Sequence, residues 1–317
     1  MPTDTSDPGL VGAAPGLRSR AWRPRRRAAP ELEPGASRHR GLANAGWYLL
    51  LTVLAVIVLF PVYMTFIRSI SGGAAALFQK KPSLLPVATD WGAFADAFTK
   101  GDLGIPILQS LFVTALIVVA QTITSTMAAY AFAFLEFPFK RTLFAVVIGT
   151  LLLPIEVTLL ANVSTMYDLH LISVHPTYLG TLTALVVPFL ATALGVFLLR
   201  QGFLGIPKDL LDAARLDGYR DTAFLWRIAV PLTRPVMGSF LVISFLSAYN
   251  QYVWPRFVVK RDEYQTIQIA LRGFITDNPN QINWGLAAAL IASVPILLLL
   301  LVFQRQLVRG LTAGAVK

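Results

Sequence analysis

Six stretches of the chain, near residues 47–67, 106–134, 142–162, 178–199, 236–257 and 285–304, are predominantly apolar. A hydrocarbon core about 30 Å thick takes roughly 20 helical residues to cross, so each stretch is long enough to span a bilayer. The runs are continuous rather than alternating, which excludes barrel strands, and lipid offers no partner for unpaired backbone. The expected fold class is therefore all-α: a polytopic membrane protein with six transmembrane helices. Composition agrees, since 14% of residues are charged and 55% hydrophobic, whereas soluble domains carry about 25% charged residues.

The formal net charge of +10 raises the question of an anionic partner. With the N-terminus inside, 19 of the 27 basic residues fall in the N-terminal arm, loops 136–141 and 200–235, and the C-terminus; 8 fall outside. That is the positive-inside distribution, so the basicity reports orientation, with both termini cytoplasmic, and no nucleic-acid partner is expected.

Residues 1–46 mix Pro, Gly and Arg, among them Arg23, Arg25, Arg26 and Arg27, with no apolar periodicity to build a core. A disordered basic cytoplasmic arm is expected there, able to rest on anionic lipid, ahead of a transmembrane domain over 47–317. The apolar run from Trp47 is too long and lacks the small-residue site of a cleavable signal peptide. The first outer loop carries an apolar-spaced stretch around Phe94 and Phe98, which predicts a short interfacial helix. The second span, rich in Thr114, Thr122, Thr124, Ser125, Thr126 and Ala128, has the small and hydroxyl residues of a closely packed inner helix.

Several chemistries are closed. The chain has no cysteine, which removes disulfides, thiolate metal sites and thiol nucleophiles. His39, His170 and His175 lack the spacing of a metal cluster. No group of catalytic carboxylates or histidines is evident, so an enzyme is not expected, and no inverted-repeat symmetry points to a secondary transporter.

The most polar well-defined block is Gln201–Pro235, QGFLGIPKDLLDAARLDGYRDTAFLWRIAVPLTRP. Ile206-Pro207 sets a helix start, Lys208 to Asp217 favours helix, and Gly218 stands where a left-handed cap is expected. A second helical stretch should run to Ala229, with Pro231 and Pro235 ending it. Leu210, Leu211, Phe224, Leu225 and Trp226 are expected to be exposed on the cytoplasmic side, the mark of an interaction surface.

This block resembles the EAA loop of binding-protein-dependent ABC importer permeases: E-A-A, three residues, Gly, nine residues, I-x-L-P. Asp212-Ala213-Ala214, Gly218, Ile228, Val230 and Pro231 stand at that spacing, with Asp217 before the glycine, Asp212 in place of Glu and Val230 in place of Leu. The resemblance implies the type I importer permease fold in a bacterial plasma membrane. It also implies a coupling helix, with Asp212, Ala213, Ala214, Asp217, Gly218, Ile228 and Pro231 working against a dimer of separate ATP-binding subunits. Further implied partners are a second homologous permease subunit and an extracytoplasmic solute-binding protein. The chain has no GxxxxGK[ST] loop and no Gly-Lys pair, so no cofactor is expected in it; ATP and Mg would be bound by the partner ATPase.

Other segments narrow the resemblance to the carbohydrate and organophosphate branch. AYAFAFLEFP at 129–138 matches that branch; LLPIEV at 152–157, NQYVWP at 250–255 and QRQLVRGL at 304–311 are similar to the second permease subunit of glycerol-3-phosphate importers. The solute class this implies is glycerol-3-phosphate or glycerophosphodiesters, with a sugar or oligosaccharide as the alternative. Tyr249 stands where many of these permeases have Trp.

Glu156 is a carboxylate inside an apolar span, and such residues usually face a polar cavity or a partner. At 1.5 Å per residue it lies about 20 Å along its helix, close to the depth of Asn250 and Gln251 in theirs. Glu156, Asn250 and Gln251, walled by Tyr252 and Trp254, form the expected solute pathway, with Arg68 and Arg256 as candidate phosphate donors. The same residue types also serve as interhelical hydrogen bonds, an aromatic belt and headgroup anchors, and the sequence leaves both readings open.

Overall fold

The computed structural model describes residues 34–72, 83–172, 176–278 and 281–312, with the side chains of 34–43, 155, 156 and 308–312 excepted. Helix α1 (Pro34–Ser69) begins inside the segment expected to be disordered, so residues 34–46 continue the first span as helix. Residues 1–33 of the expected arm lie outside the described residues, as does His175. Residues 59–317 form one compact unit.

After α1 come α2 (Gly92–Lys100), the short helix expected around Phe94 and Phe98, and α3 (Gly104–Phe134), 31 residues long. The third and fourth expected spans are not single helices. Helix α4 (Lys140–Gly149) tightens into a 3-10 turn at Thr150–Leu152 and breaks before α5 (Ile155–Asp168), with a 104° bend. Pro154 causes the break: the residue before a proline is pushed out of the helical region, and Leu153 sits at φ −82°, ψ 117°. Helix α6 (Tyr178–Val186) runs into a 3-10 turn containing Pro188 and is bent by 49° against α7 (Ala193–Leu204). Counting each bent pair as one span gives six membrane crossings among the described residues.

The segment expected to act in coupling follows as α8 (Lys208–Leu216) and α9 (Asp221–Phe224). Helix α10 (Arg234–Tyr249) with α11 (Val253–Val258) makes the fifth span, α12 (Ile267–Asp277) lies in the loop after it, and α13 (Ile282–Thr312) is the last. No multi-residue strand occurs among the described residues; a single antiparallel bridge joins Ser71 and Thr89.

Helix α3 packs against α7 and α10, and α10 against α13. The small residues of α3 and α7 make this close. A Cβ on Gly195 would meet Phe240 at 2.6 Å and would also collide with the Ser125 hydroxyl. Hydrogen bonds from α3 run from Thr124 Oγ1 to the Leu190 carbonyl, just before α7, at 2.8 Å, and Ser244 Oγ of α10 donates to Gln121 Oε1 at 2.6 Å. Helix α3 is thus the inner helix its composition predicts.

Candidate functional site

Helix α8 starts where Pro207 fixes the backbone, with Asp209 in its first turn and Arg215 in its last, both favourable to the helix dipole. It ends in a Schellman motif: Tyr219 N–H donates to the Ala214 carbonyl at 2.9 Å and Gly218 N–H to Arg215 at 3.0 Å. Gly218 takes φ +83°, the left-handed value the motif needs. An ion pair of 3.2 Å between Arg215 and Asp221 spans the turn into α9. Being about half exposed, that pair contributes little to stability.

The segment then widens into a π-turn at Leu225–Ala229, closed by Val230 N–H donating to the Leu225 carbonyl. Pro231 comes next; it has no N–H and its ring would clash with the carbonyl four residues back in a regular helix, which the wider turn relieves. The two prolines do not end helices as expected. Pro231 lies in the first turn of Val230–Leu232 and Pro235 in that of α10, the N-terminal position where proline is tolerated.

The expected exposed apolar surface is corrected as well. Leu211, Phe224 and Leu225 are buried, whereas Leu210, Leu216 and Trp226 are exposed, Leu216 at 90%. The buried set joins Tyr130, Leu199, Phe203, Ile206, Ala229 and Phe240 in one core. At its centre the ring of Phe134 lies 5.6 Å from that of Phe224 and 6.1 Å from that of Phe203, with Tyr130 beside all three. Ala214 is buried in this core, so the small side chain lets α8 approach its own chain; Asp212, Ala213, Asp217 and Gly218 remain on the open face. Ile228 packs partly buried against the same core, and Pro231 is half-buried. Nearby, Arg200 Nε donates to the Phe132 carbonyl at 3.1 Å and the guanidinium lies 4.1 Å over the Phe144 ring, tying α7 to α3 and α4. The segment from α8 to Ala229 is therefore packed against α3, α7 and α10 in one shared core.

Sequence reasoning missed this anchor. The signal was present in Tyr130 and Phe134, four residues apart on one face of α3, but nothing local says what an aromatic face at a helix end will meet.

The residues expected to line the solute pathway have different settings. Asn250 is exposed at the end of α10, with Nδ2 donating to the Leu246 carbonyl at 2.9 Å and Oδ1 3.4 Å from Gln268 Nε2. Gln251 is half-buried and Tyr252 exposed. Trp254 is buried, its Nε1 donating to the Ala184 carbonyl at 3.1 Å and its ring edge-on to Phe189 at 5.9 Å. The Glu156 side chain lies outside the described residues, and the 104° bend just before it removes the continuous rise on which its depth was counted. Trp254 instead borders a cavity of about 300 Å³ with Thr150, Leu153, Thr158, Leu159, Asn162 and Phe189. Thr158 and Asn162 were not singled out in the sequence. Arg68 is half-buried and Arg256 exposed, and neither lines that cavity. In the loop between α11 and α12, the hydrogen bond from Arg261 at 3.0 Å holds the Glu263 carboxyl below the usual range.

Known proteins place this architecture. The chain is 33% identical over 282 residues to the sn-glycerol-3-phosphate transport system permease protein UgpE of Agrobacterium fabrum, covering 86% of this chain and 97% of that protein. It is 30% identical over 272 residues to UgpE of Yersinia pestis bv. Antiqua, covering 83% and 94%. Its fold matches, with a TM-score of 0.71 and 24% identity, a chain in the crystal structure of a bacterial ABC transporter involved in the import of the acidic polysaccharide alginate; the match covers 87% of this chain and 99% of that one. The type I importer permease fold expected from the coupling block is the fold observed. Residues 105–313 match the family of binding-protein-dependent transport system inner membrane components. The chain belongs to that family, and is a multi-pass inner-membrane permease component.

Proposed function

We propose that this chain forms half of the translocation pathway of an ATP-driven importer of glycerol-3-phosphate or glycerophosphodiesters. In this reading a second, homologous permease subunit forms the other half. Two ATP-binding subunits hold ATP and Mg and hydrolyse the nucleotide, and an extracytoplasmic binding protein delivers solute. Both termini are cytoplasmic. The solute class draws its support from relatives named for sn-glycerol-3-phosphate transport that align over most of both chains.

The observation that carries the mechanism is the Schellman-capped helix α8, open on the face of Asp212, Ala213 and Leu216 and packed on the other face against the aromatic core. A helix built this way can seat its open face on an ATPase and move the spans beneath it without unfolding. Asp212 and Asp217 carry the charge of the docking face, Ala213 keeps it flat, and Gly218 fixes the turn. Glu156, Asn250, Gln251, Tyr252 and Trp254 belong to the solute pathway in this reading.

The test is uptake by vesicles containing all subunits, offered glycerol-3-phosphate, a glycerophosphodiester and neutral disaccharides. Import of the organophosphates supports the assignment; import of neutral sugars alone overturns the solute class.

A further inference from the structure

The cavity beside Trp254 has a lining that its position inside a membrane domain makes informative. It is an open cavity lined by Thr150 and Leu153 at the end of the 140–152 segment, Thr158, Leu159 and Asn162 on α5, Phe189 after α6, and Trp254 on α11. Its volume of about 300 Å³ is at the lower end of the range for small-molecule sites. None of the described residues in the lining is charged. An anionic phosphate placed there would lack an ionic partner in apolar surroundings, an expensive arrangement.

The polar groups in the lining are neutral. The Thr150 hydroxyl is committed to the Val147 carbonyl at 2.7 Å. Thr158 and Asn162 stand four residues apart on α5 and so share a face. The Asn162 carboxamide makes no hydrogen bond with the described residues. An amide offers two donors and an acceptor, and Asn162 stands half-buried at the cavity wall. Trp254 adds a wall whose position is fixed from both sides, by its hydrogen bond to Ala184 and by the edge of Phe189.

We propose that this cavity is a subsite for the uncharged, hydroxyl-bearing part of the solute. Asn162 bonds the hydroxyls, Thr158 stands beside it, and Trp254 is the apolar wall against which the carbon skeleton lies. The phosphate lies outside the cavity. The division of labour within the solute rests on the importer reading above, but the subsite itself requires only a solute with hydroxyl groups.

Two measurements on the complete importer test it. In vesicles, Asn162→Leu should lower the solute moved per ATP hydrolysed about tenfold, the loss of one neutral hydrogen bond. Hydrolysis stimulated by the loaded binding protein should persist, which a merely structural defect would not allow. Unchanged solute per ATP overturns the subsite. Independently, the chain has no cysteine, so Asn162→Cys places a unique thiol in it. Labelling of that thiol by N-ethylmaleimide in the purified complex should be slowed by glycerol-3-phosphate and not by inorganic phosphate. Equal labelling with and without glycerol-3-phosphate overturns the proposal, and this reading decides if the leucine variant does not assemble. A wild-type complex that imports a neutral disaccharide and no organophosphate refutes the solute class alone; the same two measurements made with that disaccharide then decide the subsite.

Discussion

The ring of Phe224, the last residue of α9, meets the ring of Phe134, the last residue of α3, edge-on at 5.6 Å and 86°. Phe224 is 1% exposed. This contact joins the segment that would receive the ATPase to the helix at the centre of the bundle.

Removing that ring tests whether the contact transmits motion. Phe→Ala in a packed core typically costs about 3–5 kcal/mol. In Phe224→Ala the open face of α8 keeps its residues, so the ATPase should still co-purify while uptake falls at least about tenfold. Phe224→Leu, which refills most of the volume, should restore most of the uptake. Wild-type uptake by the alanine variant would show that force passes elsewhere.

Gly218 gives a different kind of lesion. A Cβ there meets nothing within 4 Å, so the cost of substitution comes from φ +83° alone, roughly 1–2 kcal/mol for most residues and more for a β-branched one. Gly218→Val should therefore insert into the membrane normally yet lose solute-stimulated ATP hydrolysis, and Gly218→Asn, which tolerates this conformation, should retain much of it. Normal stimulated hydrolysis in the valine variant would remove Gly218 from the coupling role.

These two residues also show what could be read from the chain. Gly218 was legible because a helix cap is a local matter: a helix-forming run, then glycine at the left-handed position. Helix α8 was legible to within one residue for the same reason. Phe224 was misjudged as exposed because its burial depends on Tyr130, Phe134 and Phe203, distant in sequence and brought under it by the packing of α3 and α7. The bends at Pro154 and Pro188 had a local signal, but apolar length outweighed it when the spans were read. Thr158 and Asn162 gave no signal, since a threonine and an asparagine in an apolar run acquire meaning only when Trp254 closes a cavity over them.

Asn250 sits at the end of α10, its amide divided between the Leu246 carbonyl and Gln268. Asn250→Ala should lower uptake several-fold with little loss of assembled complex, since an exposed capping interaction contributes only about 0.5–1.5 kcal/mol. Glu156→Gln should shift the relative rates for glycerol-3-phosphate and neutral disaccharides, because it removes a carboxylate expected to bond glycerol-type hydroxyls or hold a basic partner. If both variants assemble and transport as wild type does, the pathway assigned to these residues is wrong.

The charge distribution, with 19 of 27 basic residues on one side, fixes the orientation expected in the membrane. A reporter fused after Lys317 should be inaccessible from outside intact cells. An external reporter would invert every statement about which side α8 faces.

The coupling claim is tested most directly by measuring ATP-dependent uptake of glycerol-3-phosphate into vesicles holding this chain, the second permease, the ATPase subunits and the binding protein. Wild-type and Gly218→Val complexes should be compared with ATP, with a non-hydrolysable analogue, and with an ion gradient alone. The expected result is uptake only with hydrolysable ATP and only in the wild-type complex. Uptake driven by the gradient without ATP, or ATP-driven uptake undiminished by Gly218→Val, would contradict the account.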